Sequence, residues 1–154
     1  MVTLSLDTSV LIDLLRRRDA NVIKGFSESV LSGRPLIVSA VVFHELESGL
    51  IAGRWSERRR VQMATLLAQC SAADFSVDDG RASGRLRADL RDLGTPIGEI
   101  DTLIAGQALA RGWTVVTSNL KHFGRVDGLP LIDWSVGTDV LSIEAIASRV
   151  GAEE

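Results

Sequence analysis

The sequence contains a single cysteine and only two histidines. Cys70 has no partner within the chain for a disulfide, and a reducing compartment suits a protein with one free thiol. A zinc site of cysteine and histidine is also excluded, because one Cys and the separated His44 and His122 are too few to supply the ligands. Stability must therefore come from a hydrophobic core, and any metal chemistry must come from oxygen ligands.

Long apolar runs and an excess of positive charge are also missing. No apolar stretch approaches the roughly 20 residues that cross a bilayer, and residues 1–6 lack the basic start and apolar run of a secretory signal. The net charge of −3 argues against broad coating of nucleic acid, but it permits a nuclease whose basic groups are local. We expect a cytoplasmic protein with no membrane partner.

The chain has 154 residues, of which 45% are hydrophobic, and this is enough for one domain with its own core. We expect a single domain over residues 1–154. Its core spans residues 2–135, and the tail, residues 136–154, forms a last helix over residues 142–150.

Short apolar runs alternate with segments of helical periodicity. Strands are predicted over residues 2–6, 35–38, 74–77, 113–117 and 129–132, and helices over residues 8–18, 21–31, 40–53, 57–68, 78–93 and 98–111. The alternation predicts an α/β fold with a mostly parallel sheet of about five strands and helices on both faces. Functional side chains in such sheets gather at the carboxyl ends of the strands.

Three polar positions lie near predicted strand ends or on the margin of an apolar helix face. Asp7 follows the first strand and begins a helix, so a simple N-cap is the alternative to a functional role. Glu45 lies beside the apolar stripe of its helix, where the alternatives are a partly buried ion pair with an arginine and a side chain that snorkels to the surface. Asn119 follows the fourth strand, where asparagine is also a common turn residue.

Asp101 is the most informative position. On a helical wheel it falls between Ile104, Ala105 and Ala108, within the apolar face of its helix. A buried carboxylate is costly unless it is paired, hydrogen-bonded or bound to a metal. The helix dipole explains an acid in the first turn, but it does not explain an acid that points inward. The position therefore favours a functional role.

Together these positions resemble, in order, the motifs of PIN-domain nucleases. Residues 6–12, Leu-Asp-Thr-Ser-Val-Leu-Ile, are similar to the first motif, in which an apolar strand runs into Asp-Thr-Ser. Residues 39–49 resemble the second motif, a helical Glu before a Gly, and residues 96–105 resemble the third, an Asp three residues before Ile-Ala. Residues 115–134, with Thr-Ser-Asn and then His-Phe, resemble the VapC branch of the family. The resemblance covers residues 4–134.

The resemblance implies a metal-dependent endoribonuclease that hydrolyses RNA phosphodiester bonds, leaving a 5′-phosphate and a 3′-hydroxyl. It implies the toxin of a bacterial type II toxin–antitoxin module. The implied partners are a VapB-like antitoxin, an RNA substrate such as tRNA or rRNA, and a second copy in a homodimer. DNA would be reached only through the antitoxin.

The resemblance also implies the roles of the site residues. Asp7, Asp101 and Glu45 would hold Mg²⁺ or Mn²⁺, ions that prefer oxygen ligands. Ser9, Thr117 and Asn119 would support these ligands. The catalytic set would be Asp7, Glu45, Asp101 and Asn119.

One position departs from the four acids of many PIN domains, because the last of them is Asn119. An amide can orient a water at a metal but adds no charge, which makes Glu99 a candidate for a compensating carboxylate. Cations that could contact RNA are Arg16, Arg17, Arg18, Arg81, Arg85, Arg87 and Arg91, and for each of them a solvated helix face is the alternative.

Two other interpretations remain open. A non-catalytic domain of the same fold would bind only RNA or protein and would show no metal dependence. A flavodoxin-like or receiver-type protein would need an acidic pair after strand one and a lysine at a late strand end, and only Lys121 offers the latter. A dinucleotide-binding fold is excluded, because no Gly-x-Gly-x-x-Gly follows the first strand.

Overall fold

The centre of the computed structural model, which describes residues 1–152, is a five-stranded sheet. Its strands are β1 (Leu4–Leu6), β2 (Leu36–Ser39), β3 (Ser71–Ala73), β4 (Thr114–Val116) and β5 (Leu131–Ile132). All neighbouring strands are parallel, in the order β3-β2-β1-β4-β5. The predicted sheet of about five mostly parallel strands is confirmed.

Helices surround the sheet and mostly lie where the sequence predicts them. They are α1 (Thr8–Arg16), α2 (Ala20–Leu31), α3 (Ala40–Ala52), α4 (Glu57–Leu67), α5 (Val77–Asp92), α6 (Glu99–Arg111), α7 (Leu120–Phe123) and α8 (Ile143–Ala152). Ser39 and Ser56 cap α3 and α4 through their side chains, as predicted. Within the described residues, no helix combines the length and apolarity needed to span a bilayer.

Two local predictions need correction. The predicted strand over residues 74–77 is wrong, because β3 ends at Ala73 and Val77 begins α5. A capping box explains the shift: the Ser76 hydroxyl accepts from the amide of Asp79, and the Asp79 carboxylate accepts from the amide of Ser76. The four-residue helix α7 was not predicted, because it is too short to show a helical period.

The topology places a crevice between β1 and β4. Sequential winding runs from β1 to β2 and β3 on one side and then returns to β4 and β5 on the other. Such a reversal point is where α/β sheets bind ligands, at the carboxyl ends of the strands. Leu6 of β1 pairs with Val116 of β4, so Asp7 and Thr117 leave the sheet side by side.

Helix α6, which carries Asp101, is held tightly against α5. A Cβ added to Gly106 would lie only 2.4 Å from the Cα of Ser83, so the glycine permits the close approach of the two helices. Gln107 and Arg111 of α6 also donate hydrogen bonds to the buried carboxylate of Asp79. The guanidinium lowers the pKa of Asp79 from 3.8 to about 2. This packing fixes the position from which Asp101 reaches the crevice.

Candidate metal and nuclease site

Asp7 lies at the carboxyl end of β1 with only 4% of its surface exposed. Its Oδ1 accepts a hydrogen bond from the backbone amide of Thr8 at 2.8 Å, so the residue caps α1. Its Oδ2 accepts from Ser9 Oγ at 2.9 Å and from Thr117 Oγ1 at 2.8 Å. Asp7 is therefore both an N-cap and the centre of a hydrogen-bonded cluster, and Ser9 and Thr117 support it as expected from the sequence.

Two opposing influences act on the carboxyl group of Asp7. Burial raises its pKa above the ordinary 3.8, while hydrogen bonds from Thr117, Ser9 and Thr8 favour the ionised form and lower the pKa. The negative charge of Asp101 raises the pKa further. The two carboxylates are thus close enough to repel each other.

Glu45, on α3, joins the cluster through Thr8. The Thr8 hydroxyl donates to Glu45 Oε1 at 2.7 Å, while the amide of the same residue donates to Asp7. Glu45 is half-buried. Among the salt bridges of residues 1–152, none involves Glu45, so an ion pair with arginine does not explain its position.

Asp101 points inward from the first turn of α6, as the helical wheel predicted, and its side chain is 18% exposed. Its Oδ2 accepts a hydrogen bond from Asn119 Nδ2 at 3.3 Å and contacts His122 Nδ1 at 2.5 Å. The backbone amide of Asn119 also donates to Thr117 Oγ1. Asn119 therefore supports two site residues, which is the arrangement expected of a residue that orients a ligand.

Sequence reasoning did not identify His122 as a site residue. The signal was available, because His122 follows Asn119 by three residues, and residues with this spacing share one side of a helix. It could not be used until α7 was known to begin directly after Asn119.

The candidate Glu99 lies outside the cluster. Its side chain is 75% exposed and forms a 2.7 Å ion pair with Arg87. Although Glu99 precedes Asp101 by only two residues, a turn of about 200° around α6 separates them. We therefore leave Glu99 out of the candidate ligand set.

Three aspartates are almost fully buried, and only one of them has no arginine partner in the part of the chain described. Asp79 pairs with Arg111, and Asp133 pairs with Arg149 at 3.1 Å. Asp7 has hydroxyl and amide donors but no cationic side chain. The hydrogen bonds satisfy the carboxylate oxygens of Asp7, but no positive side chain among residues 1–152 balances its negative charge or that of the second acid beside it. A bound cation would balance that charge.

The donor set fits Mg²⁺ or Mn²⁺, because the acids and hydroxyls that meet at the crevice offer oxygen atoms, which are the ligands that these ions prefer. No three His, Cys, Asp or Glu residues of the described chain gather closely enough to hold an ion by themselves. Mg²⁺ commonly uses one or two carboxylates and completes its coordination with water and substrate phosphate. Asp7 and Asp101 match that requirement, and Thr8 connects Glu45 to Asp7 by two hydrogen bonds.

Five of the predicted arginines lie on exposed helix faces, and Arg17 and Arg18 follow the end of α1. Arg16, Arg17, Arg18, Arg81, Arg85, Arg87 and Arg91 are all exposed. Two of them pair with local acids, Arg81 with Asp78 and Arg87 with Glu99. A contact with RNA remains a prediction for each of them.

This chain is similar to known proteins over most of its length. The family model described as the PIN domain matches residues 4–129. A tRNA(fMet)-specific endonuclease VapC of Shigella flexneri is 31% identical over 88% of this chain and all of its own length. Ribonuclease VapC2 of Rickettsia felis is 32% identical over 70% of this chain and 80% of its own.

A solved structure agrees with these sequence matches. It is the crystal structure of VapBC2 from Rickettsia felis bound to a DNA fragment from its promoter. The fold superposes with a TM-score of 0.79 at 27% identity, covering 87% of this chain and 99% of that one.

Proposed function

Because this chain belongs to the PIN-domain family and, within it, to the VapC ribonucleases, we propose that it is a toxin endoribonuclease that cuts RNA with Mg²⁺ held between Asp7 and Asp101. The observation that carries the metal site is the pair of neighbouring carboxylates in the crevice, where Asp7 is buried and has no arginine partner among residues 1–152. Mn²⁺, which accepts the same ligands, would substitute.

Each residue of the site has a role in this proposal. When bound, the cation neutralises charge on the phosphate and helps make water nucleophilic. Asp7 and Asp101 would hold it, and Glu45 would orient the attacking water through its remaining carboxylate oxygen. Ser9 and Thr117 fix Asp7 by donating to its Oδ2. Fixing the ligands in advance lowers the cost of ordering the site when RNA binds.

The substrate follows from the relatives. The named activity of the Shigella relative makes tRNA(fMet) the first RNA to assay. Exposed arginines would contact the RNA phosphates, so cleavage should weaken as the salt concentration rises.

The partner is a VapB-like antitoxin, as in the VapBC complex from Rickettsia felis. We propose that it inserts a basic side chain into the acidic crevice, where an arginine would form charge-assisted hydrogen bonds with the carboxylates. The antitoxin would also be the component that contacts DNA. A second copy of this chain would complete a homodimer, which sedimentation analysis of the purified protein would test.

The experiment that tests the function is RNA cleavage by protein freed of antitoxin, with Mg²⁺, with Mn²⁺ and with excess chelator. We expect cleavage only with metal, and none from an Asp7→Asn variant that melts cooperatively. Activity in excess chelator would refute the metal mechanism. If neither metal supports cleavage of any RNA tested while RNA still binds, the non-catalytic alternative replaces this proposal.

A further inference from the structure

Two side-chain donors converge on one oxygen of Asp101. Asn119 Nδ2 and His122 Nδ1 both lie within hydrogen-bond distance of Oδ2, at 3.3 Å and 2.5 Å. Among the hydrogen bonds of residues 1–152, none ends on the other oxygen, Oδ1. The carboxylate thus has one oxygen held by the protein and one left for another ligand.

Both donors belong to one rigid unit. Asn119 is the N-cap residue of α7 and His122 lies within that helix, so the two side chains are about one turn apart. Leu120 and Phe123, which are 2% and 0% exposed, anchor α7 in the core. The donors are therefore placed by core packing, and Asp101 must orient toward them.

Gly98, the N-cap residue of α6, lies beside the Asp101–His122 pair. A Cβ added to Gly98 would lie 3.5 Å from Asp101 Oδ2 and 3.9 Å from His122 Nδ1, in ordinary van der Waals contact. The space beside the Oδ2–His122 contact would therefore accept one methyl group, and 36% of the His122 side chain is exposed. Because a carboxylate oxygen accepts this bond, the tautomer with a proton on Nδ1 is the one that can donate it.

We propose that His122 is a positioning residue for Asp101: together with Asn119 it holds Oδ2 and thereby presents Oδ1 to the metal. The inference rests on the proposed function, because it assumes that Asp101 is a metal ligand. Residues that orient metal ligands commonly change metal affinity by about 10- to 100-fold when they are removed.

Two substitutions at His122 distinguish the effect of its hydrogen bond from the effect of its aromatic ring. His122→Phe keeps an aromatic ring of similar size but has no donor. His122→Asn loses the ring but places its Nδ2 donor at the same distance along the side chain as His Nδ1. The matched control is His44→Asn, at the other histidine of the chain, which is exposed on α3.

The measurement is Mn²⁺ binding by calorimetry, with melting temperatures recorded in chelator and RNA cleavage assayed in parallel. We expect His122→Phe to weaken Mn²⁺ binding by about 10- to 100-fold, and His122→Asn and His44→Asn to stay within a few-fold of the parent. The melting temperatures in chelator should stay close to that of the parent, since a merely structural role would lower them without changing metal affinity.

Three results would overturn the inference in distinguishable ways. If His122→Phe binds Mn²⁺ like the parent but cuts RNA poorly, His122 acts on the substrate rather than on Asp101. If His122→Asn is as weak as His122→Phe, the ring matters and the hydrogen bond does not. If the parent itself binds no Mn²⁺, the proposed metal site fails, and the positioning role fails with it.

Discussion

The Asp101→Asn substitution best distinguishes two roles for Asp101, that of a metal ligand and that of a purely structural acid. Burial is the main cause of the raised pKa of Asp7, and repulsion from Asp101 adds to it; in the absence of metal, the substitution removes that repulsion. It also weakens the bonds that Asp101 accepts from Asn119 and His122, because charge-assisted hydrogen bonds are the stronger kind. Asparagine still offers one oxygen to both donors, so the two effects oppose each other and the melting temperature in chelator should change little.

Added Mg²⁺ should stabilise the parent more than the Asp101→Asn variant. At a concentration 100 times its Kd, a ligand that binds only the folded state adds about 2.7 kcal/mol to the free energy of unfolding. For a chain of 154 residues, each kcal/mol raises the melting temperature by about 2–4 °C. We therefore expect a rise of about 5–10 °C for the parent. The rise should be much smaller for Asp101→Asn, and cleavage should be lost.

The control lies on the same helix. Glu99→Gln removes one negative charge two residues earlier, but from an exposed pair with Arg87, and exposed pairs contribute little to stability. Its response to Mg²⁺ and its cleavage should match those of the parent. The assay is thermal melting with and without Mg²⁺, beside RNA cleavage. An Asp101→Asn protein with the full Mg²⁺ response, or with near-parent cleavage, would refute the ligand assignment.

Three further predictions test the surroundings of the site. Asn119→Asp should keep cleavage within about 10- to 100-fold of the parent, as for residues that orient ligands; complete loss of Mn²⁺ binding in calorimetry would show that the neutral amide is essential. The pKa of Asp79 is lowered from 3.8 to about 2 in the folded protein. This shift adds about 2 kcal/mol to the free energy of unfolding above the unfolded-state pKa, and the contribution is lost as pH falls toward 2. Arg111→Met should abolish that pH dependence, which denaturant titrations at pH 3 and pH 7 would measure. Gly106→Ala should destabilise the fold by about 1–3 kcal/mol through overpacking, whereas Gly84→Ala, where nothing lies within 4 Å of the added Cβ, should be neutral or stabilising in the same urea titration.

Much of the fold could be predicted because its determinants are local. Each short apolar strand and each amphipathic helix carries its own period, and Ser39 and Ser56 mark two helix starts through their caps. The inward direction of Asp101 followed from the same periodicity, since its neighbours on the wheel, Ile104 and Ala105, are buried. Because strands alternate with helices along the chain, the sheet was expected to be mostly parallel.

By itself, therefore, the sequence determined the α/β class, most element positions, and the acids and hydroxyls that line the crevice. Only the tertiary structure decided which groups meet. It brought His122 to Asp101 and, within residues 1–152, gave arginine partners to Asp79 and Asp133 but not to Asp7. The reason is physical: these contacts join residues far apart in the chain or set the rotation of one helix against another, and periodicity within a segment carries no information about either.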